Sequence, residues 1–236
     1  MAHINAPRFE YSLRHIEIFG SLSPKALQQL EQSCSWRYRE PGEPIIGYLE
    51  SSDEVFFVIS GEARVTIYSH SGKAVSFSEL KRGDVFGEYP AIIGGPRSAS
   101  VEARTRCLIA AMSCVAFRKL LHDEPTVSQA LLAKFVTKIR SLTARVYEFS
   151  TLAVNNRIQA ELLRLVNSAP KLGKSGRIEP LPTHAEIASR VSTHREAVSR
   201  EINRLANIGI IERQGATLIV KDIDRLAQMV HDATGE

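Results

Sequence analysis

A short stretch in the first half of the chain combines residue types that could hold a phosphorylated ligand. Arg97 would offer a planar fork of N–H donors, which matches the oxygens of a phosphate group. Gly87, Ser98 and Ala99 are small, so backbone N–H groups could approach an anion closely beside them. Glu88 supplies a carboxylate that can accept hydrogen bonds from ribose hydroxyls. Phosphate and ribose recognised in one compact pocket describe a nucleotide.

The order of these residues resembles a known ligand-binding segment. The chain reads Phe-Gly-Glu-Tyr-Pro-Ala from residue 86 and Arg-Ser-Ala-Ser-Val from residue 97. This is similar to the phosphate-binding cassette of the CRP/FNR family of bacterial transcription regulators, roughly F-G-E-x-A/G-x, a short insert, then R-S/T-A-x-V. The resemblance implies Glu88 on the ribose 2′-hydroxyl, Arg97 on a cyclic phosphate, and Gly87, Ser98 and Ala99 around that phosphate. The alternative is a β-turn held by an Arg–Glu ion pair.

A second group of residues with recognisable chemistry lies in the last quarter of the chain. The segments 183–186 and 193–196 both fit the S/T-x-x-E capping box that opens a helix. A turn of three residues separates the two predicted helices, and Ser192 stands where many such turns have glycine. This spacing predicts a helix-turn-helix. Two apolar strands about Gly215 predict a wing behind it.

Three charged residues near the start of the second predicted helix could read DNA bases. Arg195, Glu196 and Arg200 project in similar directions, so they could enter a major groove together. There an arginine can bind guanine and a carboxylate can accept from cytosine. The set resembles the recognition helix of the cyclic-AMP-responsive branch of the family, which implies a palindromic TGTGA-like operator. As alternatives, Glu196 could only cap its helix, and both arginines could be solvated.

Further DNA-binding candidates are more typical of phosphate contacts or helix caps than of base readers. They are Thr183, His184, His194 and Ser199.

The longest periodic segment of the chain joins these two groups. Its apolar residues follow a strict three-four spacing, which favours pairing with another helix, most simply the same helix of a second subunit. A helix packed only on its own domain carries a wider apolar stripe. That second interpretation, a helix that merely covers its own sheet, stays open. The expected interface residues are Leu132, Phe135, Ile139, Leu142, Val146 and Phe149.

The family resemblance also implies a hydroxyl of this helix at the purine base of the ligand. Counting back from Arg157 places Thr143 at such a position. The neighbouring position for a hydroxyl falls on Leu142, so one polar contact is missing. The alternative for Thr143 is a solvated surface residue.

The elements between these segments predict an α+β chain of three parts. Residues 35–111 are rich in short apolar runs and closely spaced glycines, which predicts an antiparallel β-roll rather than alternating strands and helices. We therefore expect a cyclic-nucleotide-binding β-roll domain at residues 1–124, a dimerisation helix at 125–153 and a winged helix-turn-helix at 154–236. Val154 to Asn156 interrupts the apolar spacing and is the candidate hinge.

The composition of the chain agrees with a nucleic-acid partner and indicates the expected cellular compartment. Between Lys134 and Arg204 there are 13 Lys and Arg against 6 Asp and Glu, which favours a polyanion at the C-terminal half. The three widely spaced cysteines indicate reduced thiols, and no apolar run is long enough to cross a membrane. The N-terminus lacks the apolar core of a signal peptide. We therefore expect a cytoplasmic protein without a membrane partner.

These observations predict a homodimeric transcription regulator controlled by a cyclic nucleotide. Cyclic AMP is the expected effector, cyclic GMP is possible, and no metal is expected; double-stranded DNA and RNA polymerase are the expected partners. A second hypothesis is a regulator of the same family that binds DNA constitutively or answers another signal. A third, an enzyme such as a nucleotide hydrolase, finds no HExxH, GxSxG, Walker or Cys-His metal motif in the sequence.

Overall fold

The computed structural model describes residues 11–68, 74–169 and 171–234 of the 236-residue chain. The chain divides into two compact units, Met1–Thr137 and Lys138–Glu236. In the described ranges no helix has the length and apolar character needed to cross a membrane.

The first unit is built from two antiparallel sheets with helices before and after them. Two short 3-10 turns, Leu13–His15 and Glu17–Phe19, precede the helix α1, which begins at Pro24 behind the capping residue Ser23. Then follow β1 (Ser35–Arg39), β2 (Pro44–Ile46), β3 (Glu54–Ser60), β4 (Glu62–Tyr68), β5 (Ala74–Lys81), β6 (Val85–Phe86), β7 (Ser100–Ala103) and β8 (Cys107–Ser113). Its helices are α1 (Pro24–Ser33), α2 (Tyr89–Ile93), α3 (Cys114–Asp123) and the start of α4 (Pro125–Thr151), which belongs to the second unit from Lys138 onward.

The two sheets have the strand orders β1-β8-β3-β6 and β2-β7-β4-β5. Strand β3 is buried on both faces, which is why its apolar run shows no alternation. Phe57 faces a core shared with α1, α3 and the first turns of α4, whereas Phe56 and Val58 face the other sheet. This arrangement brings Phe56 next to the segment that carries the predicted cassette, since Phe56 pairs with Phe86 across β3 and β6.

Helix α4 is the long helix that the periodic spacing predicted, and its first turns are anchored in the first unit. Val127 and Leu131 are buried there. Further along, large apolar side chains face solvent: Leu132, Ile139 and Val146 are each more than 60% exposed. Apolar residues at coiled-coil spacing are normally buried against a second helix, and in the single chain these residues are not buried.

The second unit contains the rest of the helices and one antiparallel sheet. Its described elements are α5 (Val154–Asn167), β9 (Lys171–Leu172), β10 (Ser175–Ile178), α6 (His184–Arg190), α7 (Arg195–Asn207), β11 (Ile211–Gln214), β12 (Thr217–Val220) and α8 (Ile223–Thr234). The sheet has the order β11-β12-β10-β9, and one apolar core joins it to the helices. Helices α6 and α7 form the predicted helix-turn-helix, and β11 and β12 form the predicted wing.

The turn between α6 and α7 agrees with its prediction. Thr183 and Glu186 form a complete capping box at the start of α6. Ser192 adopts a φ of 54°, the left-handed conformation for which glycine is usual, and the N–H of Thr193 donates to the carbonyl of Ala188 at 2.9 Å. The chain therefore uses serine where most such turns use glycine.

Two local predictions are wrong. The candidate hinge at Val154 to Asn156 is the first turn of α5, with Ala153 as its N-cap; the helical break lies at Leu152 and Ala153 instead. Asparagine is tolerated in the first turn of a helix, where backbone N–H groups lack partners, so Asn155 and Asn156 do not end the helix.

The second predicted capping box is also absent. His194, not Thr193, is the N-cap of α7, and it makes no side-chain capping bond. Glu196 therefore lies one position too early in the helix to complete a box. Its carboxylate is not used to cap α7.

Candidate nucleotide site and nucleic-acid interface

The predicted cassette forms a continuous turn–helix–turn between two strands. Strand β6 ends at Phe86, α2 follows, and the chain returns to β7 through Arg97. Gly87 has a φ of 74°, and a Cβ atom at this position would lie 2.9 Å from Arg97 Nη1 and 3.0 Å from Phe56 Cδ2. The backbone conformation and the close approach of Arg97 both require glycine here.

Arg97 is the centre of the cassette, and its side chain is turned inward. Only 2% of the residue is exposed, and its guanidinium lies over the ring of Phe56 at 5.5 Å. Nε donates to Ser52 Oγ at 2.7 Å, Nη1 to the Gly87 carbonyl at 2.6 Å and Nη2 to the Glu54 carbonyl at 2.6 Å. Each of these bonds ends on a neutral oxygen.

This environment of Arg97 suits the binding of an anion. Burying an ionised group costs free energy unless an opposite charge compensates it, and neutral acceptors compensate only in part. Three of the guanidinium's five N–H groups are used in the bonds described, which leaves two for a ligand. A phosphate that reached them would supply the missing negative charge.

A second loop holds the backbone of the Arg97 segment in place. The N–H of Leu49 donates to the Arg97 carbonyl at 3.1 Å, and the N–H of Arg97 donates to the Glu50 carbonyl at 3.2 Å. The N–H of Tyr48 donates to Ser100 Oγ at 3.1 Å. Ser98 is exposed and Ala99 is half-buried on this segment.

Glu88 lies at the start of α2 and is half-buried. Removal from water raises the pKa of its carboxyl, and the positive charges of Lys134 and Arg97 oppose that rise. Lys134 is a residue of α4; its Nζ donates to Asp84 Oδ1 at 2.8 Å and to Glu17 Oε2 at 3.4 Å. The cassette carboxylate is therefore close enough to α4 to interact with a charge on that helix.

The candidates for the base contact lie further along α4. Leu142 is half-buried and Thr143 is exposed, and both belong to the second unit. Their contact with a nucleotide therefore stays a prediction. Of the predicted interface residues, Phe135 packs partly against the core of the first unit, whereas Leu132, Ile139, Val146 and Phe149 are exposed.

The three predicted base readers all lie on the surface of α7. Arg195, Glu196 and Arg200 are exposed, and within the described ranges none of their side chains makes a hydrogen bond or an ion pair. Arginine and glutamate side chains without intramolecular partners keep their full bonding capacity for a DNA base. The structure therefore brings these three residues to the exposed side of α7, and their role in base reading stays a prediction.

Residues beside the base readers have mixed roles. His184 Nδ1 and Ser199 Oγ are 2.7 Å apart, so this pair joins α6 to α7. Burial, followed by the positive charges of Arg213 and Arg195, lowers the pKa of His184. Thr183 uses its hydroxyl to cap α6. The arginine charges of the helix and the wing thus meet at one edge, where a DNA phosphate would be favourable.

Two family models match the chain. The cyclic nucleotide-binding domain matches residues 36–124, and the Crp-like helix-turn-helix domain matches residues 156–229. The chain belongs to the CRP/FNR family. CRP/FNR proteins with these two domains are DNA-binding transcription regulators rather than enzymes, and the α+β fold class with its antiparallel sheets, long helix and helix-turn-helix is confirmed.

Curated CRP/FNR relatives align over most of the chain. The cAMP-activated global transcriptional regulator CRP of Escherichia coli O157:H7 is 28% identical over 172 residues, 72% of this chain and 82% of that protein. A CRP-like cAMP-activated global transcriptional regulator of Mycobacterium tuberculosis (strain H37Rv) is 25% identical over 212 residues, 89% of this chain and 95% of that protein.

Solved structures share the CRP/FNR fold. The c-di-GMP responsive global regulator CLP of Xanthomonas campestris superposes with a TM-score of 0.72 at 18% identity, covering 84% of this chain and 99% of that chain. This likeness concerns the fold alone. Relatives with different named effectors therefore share one architecture, and the effector must be argued from the site itself.

Sequence reasoning missed part of this CRP/FNR site. Ser52, the Glu54 carbonyl, the Phe56 ring and Lys134 complete the surroundings of Arg97 and Glu88. They come from other strands and from α4, and no local motif marks them. The sequence offered one signal for Ser52, which is its position with Asp53 directly before the apolar run of β3. Such a polar pair is typical of a turn, so it does not indicate a ligand site.

Proposed function

We propose that this CRP/FNR protein is a homodimeric, cytoplasmic transcription regulator whose binding to palindromic DNA is controlled by a cyclic nucleotide. Cyclic AMP is the proposed effector and cyclic GMP its competitor. A TGTGA-like half-site is the proposed target, and RNA polymerase is the proposed partner at the promoter. The family relationship supports the role as a transcription regulator, and the buried Arg97 supports the binding of a nucleotide.

The single observation that supports control by a nucleotide is the set of bonds around Arg97. The hydrogen bonds of this buried guanidinium all end on neutral oxygens, and a cyclic phosphate would add a directly bonded negative charge. Glu88 lies close enough to interact with this charge and would accept the ribose hydroxyl.

The proposed dimer is supported by α4. Leu132, Ile139 and Val146 are large, apolar and mostly exposed at coiled-coil spacing. A second copy of the helix would bury them. The two recognition helices would then bind half-sites about one helical turn apart. The nucleotide can control this only if it binds one arrangement of the dimer more tightly than the other.

A second candidate, effector-independent DNA binding, is favoured by one observation. Arg97 is almost fully buried and already holds three bonds, and Leu142 replaces one of the hydroxyls expected at the base. A pocket satisfied by the protein itself would bind a nucleotide weakly.

The experiment that separates these candidates is a calorimetric titration of the purified protein with cyclic AMP, cyclic GMP and cyclic di-GMP. Binding to a palindromic TGTGA duplex is then measured with and without each nucleotide at fixed salt, because phosphate contacts make affinity depend on salt. Binding of one mononucleotide that tightens the duplex complex supports the proposal. Duplex binding that no nucleotide changes supports the second candidate, and absence of duplex binding contradicts both.

A further inference from the structure

A buried carboxylate in the second unit is surrounded by arginines from three helices. The side chain of Glu161, on α5, is only 3% exposed. Oε2 accepts from Arg145 of α4 at 3.1 Å and from Arg164 of α5 at 3.0 Å. Oε1 accepts from Arg190, the last residue of α6, at 3.3 Å. One residue therefore connects the end of α4 with the first helix of the helix-turn-helix.

A second carboxylate extends this set of ion pairs along α4. Arg164 Nη1 donates to Glu148 Oε1 at 2.6 Å, while the other carboxylate oxygen of Glu148 is buried without a hydrogen-bond partner. One turn away, the guanidinium of Arg157 lies over the ring of Phe149 at 5.5 Å. The last two turns of α4 are thus joined to α5 by charge and by stacking. We call Arg145, Glu148, Glu161, Arg164 and Arg190 the Glu161 cluster.

Such a cluster is better suited to fixing geometry than to adding stability. Taking several charges out of water costs much of what their attraction returns, so buried ion networks contribute little net free energy. They tolerate few alternative arrangements, however, because each displaced partner leaves a buried charge uncompensated. Only Leu152 and Ala153 separate α4 from α5, so the angle between the two helices needs such a constraint.

We propose that the Glu161 cluster fixes the angle between the end of α4 and the helix-turn-helix, and so determines which half-site spacing the protein accepts. This inference rests on the proposed function, in which α4 forms the dimer. The members of the cluster act as positioning residues, since Glu161 is buried and the base readers lie on α7. Changing the spacing by one base pair moves a half-site by about 3.4 Å and rotates it around the DNA axis. A rigid joint would reject that change, whereas a loose joint would accept it.

The test uses the full-length protein and a set of duplexes with two TGTGA half-sites. The centre-to-centre spacing is varied one base pair at a time, and affinity is measured by fluorescence anisotropy at fixed salt with a saturating effector. Arg145→Gln removes the bond between α4 and Glu161, and it leaves Arg164 and Arg190 on Glu161 and Arg164 on Glu148. Arg177→Gln is the matched control, because it breaks an exposed ion pair with Glu179 in the same unit.

We expect the wild type and Arg177→Gln to prefer one spacing. Arg145→Gln should reduce that preference, measured as the affinity ratio between the best spacing and its neighbours, by roughly threefold to tenfold. Its affinity for a duplex with one half-site should stay that of the wild type. Glu161→Gln, checked for native circular dichroism, should reduce the preference more strongly.

Two outcomes would overturn the inference alone. One is an unchanged preference in both folded variants; the other is an equal loss of affinity at every spacing together with a lower melting temperature, which would make the cluster purely structural. If the wild type bound none of the duplexes, the proposed function would fail and this inference with it.

Discussion

Each unit of the protein buries ionised side chains, but it surrounds them differently. In the first unit Arg97 is bonded to a hydroxyl and two backbone carbonyls. In the second unit Glu161 is bonded to three arginines, and one of these also holds Glu148. The Glu161 carboxylate thus has opposite charges around it, whereas all three bonds of Arg97 end on neutral atoms.

The difference separates a structural charge from a charge kept for a ligand. A carboxylate surrounded by guanidinium groups has its negative charge compensated within the protein, so it serves to hold the fold in one arrangement. A guanidinium bonded to neutral oxygens keeps its charge and two N–H groups available to an anion. Burial alone does not indicate function; the identity of the partners does.

The largest effect on stability is expected at Glu161. Glu161→Ala would leave three guanidinium groups around an uncharged site, and breaking a buried ion pair in this way costs about 3–5 kcal/mol of the free energy of unfolding. Urea denaturation followed by far-UV circular dichroism measures this loss. Nucleotide affinity should change much less, because the phosphate-binding cassette lies in the other unit.

The control for this prediction is Glu179→Ala, which removes an exposed partner of Arg177. Exposed ion pairs contribute about 0–1 kcal/mol, so its transition should stay close to that of the wild type. Equal transitions for Glu161→Ala and Glu179→Ala would mean that the buried cluster is no more constrained than a surface pair.

Arg97 should show the opposite profile, with a large effect on ligand binding. Arg97→Ala removes the two N–H groups proposed for the phosphate, and hydrogen bonds to charged groups contribute roughly 1.5–3 kcal/mol each. Two such bonds correspond to about 3–6 kcal/mol, so the affinity for cyclic AMP in calorimetry should fall by roughly a hundredfold or more. The control is Arg106→Ala, since this arginine pairs with Glu40 at the surface. An unchanged affinity in Arg97→Ala would remove the cassette assignment.

Arg195 differs from both Arg97 and Glu161, because its charge is exposed and unpaired in the described part of the chain. Arg195 is proposed to read a base, so Arg195→Ala should cost about 1–3 kcal/mol at one position of the half-site. Stability should change by less than about 0.5 kcal/mol, as is usual for surface substitutions. Affinity for a series of duplexes with single base changes measures the effect, with the exposed Arg225 of α8 as control. An equal loss on every sequence would identify a phosphate contact instead.

Local patterns were sufficient to predict most elements of this fold. The capping box at Thr183, the left-handed turn at Ser192 and the three-four spacing of α4 each depend on residues within a few positions of one another. Prediction from local sequence patterns was wrong where two patterns competed for the same residues. At residues 193–196 the motif of a capping box was present, but the preceding turn moved the helix start to His194 as N-cap.

The partners that decide the role of each buried charge could not be predicted. Ser52 lies 45 residues before Arg97 and contributes through a hydroxyl, while Glu54 contributes a carbonyl that every residue possesses. Glu161 and its arginines read in the sequence as ordinary solvated charges on helices. Only the fold shows that the hydrogen bonds of one arginine all end on neutral atoms and that one glutamate is bonded to three arginines.

The smallest expected effect concerns Glu88, whose carboxyl is half-buried beside Arg97. Its pKa is raised in the folded protein, mainly by removal from water. Between the ordinary glutamate value, about 4.3, and the raised value, the folded chain binds more protons than the unfolded chain. The free energy of unfolding should therefore fall as pH rises through this window, and the ionised Glu88 should destabilise the protein above it. Glu88→Gln should remove this dependence and make the ligand-free protein more stable at neutral pH. Urea denaturation across the acidic range measures both slopes, and Glu102→Gln, a change at an exposed strand residue, is the control. A slope that Glu88→Gln leaves unchanged would mean that the cassette carboxylate is solvated and that burial does not raise its pKa.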